Sequence, residues 1–409
     1  MVKKVSRLFM FGGMYIFWVN GLLVLMTSAI LVYLINDYDI SYDKGGLLLS
    51  VQATGNLISN LLSGVIANYI GRRKTLLLAA ALFAIGFGIV ALMPPLMVLY
   101  IALFITGLGW GSANNMINFL VTRATDGDTA KIAAIHTCYS IGAFVAPLLT
   151  TLFVNIGLGW RPAVAVIAIL SILMIPLILA MPITESTSLG QNRKSINNTT
   201  PAKRSYNFLR QWRYYLFMLI LFTYVGSEVG FSGWLVSYLT TIRSIPETQA
   251  QSLLSTLWVF MIFGRIAAAI FGNKVRKAPL LMIEAIGCTV AAVILVQATS
   301  PALLTIAVIL MGISLSAFYG MCIANASYLV SESAVASGLM LSFGGLGATL
   351  LPYIAGAVAN DYGLISGMWT LTAAFAMMAV FTAINAVTAR ITELREIKKV
   401  KTIDILFPR

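Results

Sequence analysis

The sequence predicts an all-α polytopic membrane protein with twelve transmembrane helices in two pseudo-symmetric six-helix bundles. Three observations predict it. First, 59% of the 409 residues are hydrophobic and only 10% are charged, where a soluble chain carries about 25% charged residues; the mean hydropathy is +0.90. Second, at about 20 residues per span, the apolar runs separated by polar or Gly/Pro punctuation come to twelve. Third, the chain repeats itself: Ser140-Ile-Gly142-Ala143-Phe-Val-Ala-Pro147 matches Gly345-Leu-Gly347-Ala348-Thr-Leu-Leu-Pro352 at an offset of 205, Gly107 meets Gly312 at the same offset, and Pro95 falls beside Pro301. Chance among Gly- and Ala-rich helices explains any one of these matches. Three in near register indicate two halves related by duplication, the arrangement of an alternating-access carrier.

Taken in order, the first span is predicted at 8–34. It follows the basic start Met1-Val-Lys3-Lys4-Val-Ser-Arg7, is too long for a signal peptide and lacks a small-residue cleavage pattern, so it reads as a retained anchor. Spans at 46–70, 75–93, 96–122, 132–156 and 161–181 complete an N-terminal bundle over 1–181. Residues 182–213 read as a basic cytoplasmic tether, with Arg193, Lys194, Lys203, Arg204, Arg210 and Arg213 around Asn197-Asn198-Thr199-Thr200-Pro201. Asn198-Thr199-Thr200 matches a glycosylation acceptor only weakly, on a loop expected inside the cell. Spans at 214–240, 249–272, 278–297, 302–329, 334–359 and 364–388 form a C-terminal bundle over 214–389, followed by a cytoplasmic tail, 390–409, either lying on anionic lipid or disordered.

Charge placement gives the orientation. Lysine and arginine outnumber aspartate and glutamate 27 to 14, and they gather in alternate loops: Lys3, Lys4, Arg7, Arg72, Arg73, Lys74, Arg123, Lys131, the tether, Lys274, Arg276, Lys277 and the tail. The other loops hold only Lys44, Arg161 and Arg243, against Asp37, Asp39, Asp43, Glu247 and Asp361. Both termini are therefore expected in the cytoplasm. This placement excludes the nucleic-acid partner that a net charge of +13 suggests in a soluble protein. Cys138, Cys288 and Cys322 lie in apolar segments and read as small core residues. His136 is the only histidine, so no metal site is expected. With no histidine pair, activated-thiol context or nucleotide loop, no enzyme is expected either.

The embedded polar residues carry the functional reading. Glu228 stands in an apolar run from Tyr214 to Leu239 with no opposite charge inside it. A carboxylate in hydrocarbon faces a cavity or a partner on another helix. It is either a neutral acid bonded to a neighbouring helix or a group that contacts solute or carries a proton. Asn114 and Asn118 share a helix face one turn apart, as helix-helix glue or as a solute-facing pair. His136 reads as a buried hydrogen-bonding residue, a solute ligand or a proton relay. Amides donate and accept while aromatic rings stack, so the candidate solute-binding set Asn20, Asn114, Asn118, His136, Tyr139, Tyr224, Glu228 and Trp234 suits an uncharged polyhydroxylated solute. An anionic solute calls for embedded arginine or lysine, and Arg265 is the one candidate, with pairing to a neighbouring helix and inward snorkelling as the other readings. Glu284, on the ninth span, is expected to be peripheral. The turn Gly64-Val-Ile-Ala-Asn68-Tyr-Ile-Gly71-Arg72-Arg73-Lys74 is a small-residue helix end with clustered cations, suited to meeting helix C-termini or acidic partners as one transport state closes, or to positive-inside anchoring alone.

That turn resembles the signature loop of the major facilitator superfamily, and the resemblance covers the whole chain. It implies the major facilitator fold, with Gly64, Asn68, Gly71, Arg72 and Arg73 as conformational-switch residues. The usual aspartate is here Asn68, which weakens the charge relay attributed to that acid. Three passages are similar to the fucose-permease-like sugar carriers: Gly107-Leu-Gly109-Trp110-Gly111 leading to Asn118, Ile135-His136-Thr-Cys-Tyr139 to Pro147, and Tyr224-Val-Gly226-Ser-Glu228 to Gly233-Trp234. The resemblance implies a secondary transporter for a neutral sugar or glycoside in a bacterial plasma membrane, working as a monomer among lipid, with no cofactor and a proton as coupling ion. Relatives commonly have an acid where this chain has Asn114, so coupling falls to Glu228, or the carrier is a uniporter or an exporter. A multidrug or small-molecule exporter of the same superfamily is the alternative, and a receptor without transport a more distant one.

Overall fold

The computed structural model describes residues 6–125, 128–183, 207–271, 275–330 and 334–406. Most of the tether, including Arg193, Lys194, Asn198, Lys203 and Arg204, lies outside these residues, as do Gly272, Asn273 and Lys274. The first half consists of α1 (Arg7–Asp37), α2 (Tyr42–Ile70), α3 (Arg72–Ala91), α4 (Leu96–Ala124), α5 (Thr129–Asn155) and α6 (Arg161–Ala180). After a 3-10 turn at Asn207–Arg210, the second half consists of α7 (Trp212–Thr241), α8 (Glu247–Phe271), α9 (Lys277–Gln297), α10 (Pro301–Leu315), α11 (Phe318–Val330), α12 (Ala334–Tyr362) and α13 (Leu364–Leu406). Two elements differ from the sequence expectation. The tenth span is broken at Ser316 and Ala317 into α10 and α11, and the last helix runs on to Leu406 where a separate tail is expected from 390.

Local chemistry sets several ends. Gly71 ends α2 and starts α3 at φ 91°, a backbone region open to glycine at little cost. Gly363 does the same between α12 and α13 at φ 84°. Pro301 opens α10 behind Ser300, whose hydroxyl oxygen accepts the Leu303 N–H at 3.3 Å.

Among the described residues, eleven spans are long and apolar enough to cross a membrane, with α10 and α11 counted as one. The twelfth, α2, falls short because Gln52, Thr54, Asn56, Ser59, Asn60 and Ser63 interrupt its apolar face. The duplication is also present in the packing. A Cβ on Gly107 would meet the Gln52 carbonyl oxygen at 2.0 Å, and one on Gly312 would meet that of Leu257 at 2.4 Å, both members of the second pair lying 205 residues beyond the first. Likewise Gly142 abuts Trp18 in the first half and Gly347 abuts Phe222 in the second. Small residues let helix backbones approach where lipid gives no hydrophobic drive for association.

The halves meet along two main seams, α2 with α12 and α5 with α8, aided by α1 with α7. The α2–α12 seam is close and largely apolar. Gly46 faces the Pro352 carbonyl, Gly356 faces that of Tyr42, and the Trp234 indole donates to Pro352 O at 3.1 Å with its ring edge-on to Tyr42. These residues seal the end of the molecule where α2 begins. The seam of α8 with α1 and α5 is polar: Gln251 Nε2 donates to Ala29 O of α1 at 2.6 Å and Ser255 Oγ to Phe144 O of α5 at 3.0 Å. At the end where α1 begins the halves part, leaving Leu61 and Leu341 exposed and Gly338 with nothing within 4 Å of a Cβ.

Candidate functional site

A cavity of 610 Å³ lies between the halves. The N-terminal half contributes Gln52, Asn56 and Asn60 from α2, Trp110, Asn114, Asn115 and Asn118 from α4, and His136 and Tyr139 from α5. The C-terminal half contributes Tyr224, Glu228 and Ser232 from α7, Trp258 and Arg265 from α8, Tyr319 from α11 and Ser342 from α12. Helical spacing explains the amide wall: Asn56 with Asn60 and Asn114 with Asn118 are each one turn apart on a cavity face.

The amides are chained. Asn118 Nδ2 donates to Asn114 Oδ1 at 3.3 Å, and Asn118 Oδ1 lies 3.1 Å from His136 Nε2. An amide oxygen only accepts, so the imidazole donates from Nε2. The His136 ring is edge-on to Phe17 at 5.2 Å. On α2, Asn60 Nδ2 donates to Asn56 Oδ1 at 3.0 Å, while Gln52 Nε2 donates to Thr106 at 3.1 Å. Asn115 turns to the α2 interface, donating to Ser63 Oγ at 2.8 Å.

Across from this wall stands Glu228, which makes no ion pair among the described residues. Arg265 and Tyr224 line the same cavity, Tyr224 one helical turn before Glu228 on α7. Arg265 donates from Nε to Ser316 O at 3.2 Å and from Nη1 to Ser140 Oγ of the opposite half. Tyr224 donates to Leu315 O at 3.2 Å and stacks on Phe318 at 4.6 Å. Tyr139 and Trp258 meet edge to face across the seam, with centroids 6.2 Å apart.

Of the residues singled out from sequence, Asn114, Asn118, His136, Tyr139, Tyr224 and Glu228 are brought together here, and Asn20 and Trp234 are not. Asn20 is fully buried within the helices, and neither of its amide atoms has a partner among the described residues. Trp234 belongs to the sealed end. Asn60, Ser232 and Ser342 are cavity residues that the sequence reading did not single out. Asn60 had a usable signal, lying four residues after Asn56; the serines had none. Glu284 lies outside the cavity, its Oε2 buried and without a partner among the described residues.

In the basic turn, Arg73 donates to Leu179 O at 2.7 Å and Met181 O at 2.9 Å, binding the end of α6, and Arg72 lies over the Phe119 ring at 5.0 Å. Arg73 thus complements the carbonyls at a helix C-terminus, and does so within one bundle. Gly64 has open space around it and Asn68 is exposed.

Two packed halves of six spans around one central cavity, closed at one end and open at the other, define a secondary transporter of a small molecule. The chain belongs to the Major Facilitator Superfamily, whose family model matches residues 11–352. A cis,cis-muconate transport protein of Acinetobacter baylyi is 22% identical over 395 residues, covering 93% of this chain and 94% of the relative. Among solved structures, a mutant form of the nucleoside transporter NupG superposes with a TM-score of 0.75 at 15% identity, over 93% of this chain and 98% of that one. A D-xylose-proton symporter superposes at 0.74 with 17% identity, over 91% and 97%.

Proposed function

We propose that this protein carries a neutral sugar or glycoside across a bacterial plasma membrane by alternating access, with a proton coupled through Glu228, in the manner of the fucose-permease-like branch. One observation carries the reading: the Asn114–Asn118–His136 chain and Glu228 face each other across a single cavity. Its 610 Å³ falls within the roughly 300–1,000 Å³ of small-molecule sites. Asn114 Nδ2 has no partner among the described residues, and Asn56, Asn114 and Asn118 keep lone pairs and protons for solute hydroxyls. Among the described residues, the one guanidinium lining the cavity is balanced by the one carboxylate, so the site is formally uncharged when Glu228 is ionised, which favours a neutral solute.

Arg265 supports a second reading, an organic anion, since a protonated Glu228 leaves its charge to a solute carboxylate; the muconate relative gives that reading a precedent. Purified protein in liposomes separates the two. Counterflow of a labelled neutral glycoside, competed by sugars and not by dicarboxylates, supports the first, and the reverse pattern supports the second. Glu228→Gln is expected to keep counterflow and lose uphill uptake driven by a proton gradient. Wild-type uphill uptake by this variant at every pH would sink the coupling role.

A further inference from the structure

The tenth span breaks at Ser316 and Ala317 with neither glycine nor proline there. Helix breaks free backbone carbonyls, which inside a membrane need donors from elsewhere. Here the donors are specific: the Leu315 carbonyl is held by Tyr224 OH and the Ser316 carbonyl by Arg265 Nε. Ser316 Oγ bonds back to Ile313 O at 2.6 Å, so the turn is not closed by its own backbone alone. The same two residues share the cavity wall with Glu228. Tyr224 is one helical turn before it on α7, and Arg265 reaches the cavity from α8. Arg265 also crosses to Ser140 of the other half, whose hydroxyl bonds the His136 carbonyl at 3.2 Å. Beyond the break, α11 carries Tyr319 into the cavity wall and runs to the open end.

We propose that Tyr224 and Arg265 are positioning residues shared between Glu228 and the broken turn of the tenth span, so that the state of Glu228 sets the posture of α11 at the cavity mouth. With Glu228 neutral or occupied by solute, both donors stay on Leu315 and Ser316 and the break is held as seen. With Glu228 ionised and the cavity empty, the carboxylate draws them off, because a charged acceptor makes the stronger hydrogen bond. The two carbonyls then lose their donors and α11 changes its angle to α10. The other ionisable groups facing Glu228 across the cavity are His136 and Tyr139 from α5 and Tyr319 from α11. None of these holds the break. The proposal rests on Glu228 being the group whose state changes during transport.

The test uses the full-length chain in lipid nanodiscs, with Cys138, Cys288 and Cys322 replaced and spin labels at Arg123 on α4 and Ser327 on α11, both exposed. Without solute, the distance distribution of the otherwise unaltered protein is expected to gain a second population as pH is raised. Glu228→Gln is expected to hold one population throughout. Tyr224→Phe and Arg265→Lys are expected to show the second population or a broadened one even in the Glu228→Gln background, because the break has lost a donor. Distributions for Tyr224→Phe and Arg265→Lys that match Glu228→Gln alone overturn the proposal. So does a pH-dependent second population in Glu228→Gln. Amide hydrogen exchange in the first turn of α11 gives an independent readout should a labelled variant fail to fold: faster exchange in Tyr224→Phe than in wild type is expected, and equal exchange overturns the proposal. No sugar is present in these experiments. A failed coupling role, seen as uphill uptake by Glu228→Gln, is therefore distinguishable from a failed link between Glu228 and α11.

Discussion

Asn118 is the centre of the amide wall, donating to Asn114 and receiving from His136. Its replacement by alanine leaves the His136 N–H and the Asn114 oxygen without protein partners, in a wall that water reaches while the mouth is open. The cost therefore falls on solute binding more than on folding. Losing one to two neutral hydrogen bonds of about 1 kcal/mol each corresponds to roughly a tenfold weaker solute affinity. Asn118→Ala is thus expected to raise the half-saturating solute concentration for counterflow about tenfold with little change in thermal stability, and unchanged counterflow kinetics would remove Asn118 from the site. The amide pairs were legible in the sequence because polar residues one turn apart on an apolar helix declare a face. The placement of Asn20 and Trp234 was not. α1 and α7 bury residues around much of their circumference, so spacing alone cannot say which polar side chain turns to the cavity and which to a neighbouring helix.

At the scale of elements, helix count and most boundaries followed from apolar length, whereas the break in the tenth span left no local mark. Ser316 and Ala317 sit in a run that reads as one continuous helix, and the donors that stabilise the break come from α7 and α8. Such a feature is tertiary in origin and is invisible to any window of sequence. α2 shows the reverse case, since its polar residues weaken it as a membrane span while providing the cavity face. Its sealed end depends on glycine at a definite distance. A side chain on Gly46 would place Cβ 2.7 Å from the Pro352 carbonyl oxygen, which is backbone and cannot swing aside. Gly46→Leu is therefore expected to keep the sealed end from closing and to populate the opposite orientation of the carrier. The measurement is labelling of a Leu49→Cys reporter, in a protein otherwise free of cysteine, by an impermeant thiol reagent added from the sealed side. Strong labelling in Gly46→Leu and little in the parent is expected; equal protection would show that α2 and α12 separate elsewhere.

At the scale of the whole molecule, the duplication read from three short matches reappears as duplicated helix contacts, because the same glycines that mark the sequence repeat make the close approaches. The charge asymmetry takes on a further meaning in three dimensions. Two of the three cations at the sealed end are held by helix ends: Arg161 Nε donates to Ala91 O, the last residue of α3, at 2.8 Å, and Arg243 Nη2 donates to Val296 O near the end of α9 at 2.5 Å. These side chains complement terminal carbonyls, so their presence at that end reflects capping. The excess of lysine and arginine lies at the open end, with Arg7, Lys74, Arg123 and Lys277 among the described residues. Orientation in a membrane follows such an excess, so the mouth is expected to face the cytoplasm. A single Leu61→Cys on the exposed mouth face of α2 is expected to resist an impermeant thiol reagent applied to intact cells and to react in inverted vesicles. Adding Arg161→Ala is expected to lower thermal stability by about 0.3–1 kcal/mol, the range for an exposed cation at a helix C-terminus, without changing which membrane side labels Leu61→Cys. Labelling of intact cells would reverse the orientation, and with it the direction in which this conformation releases solute.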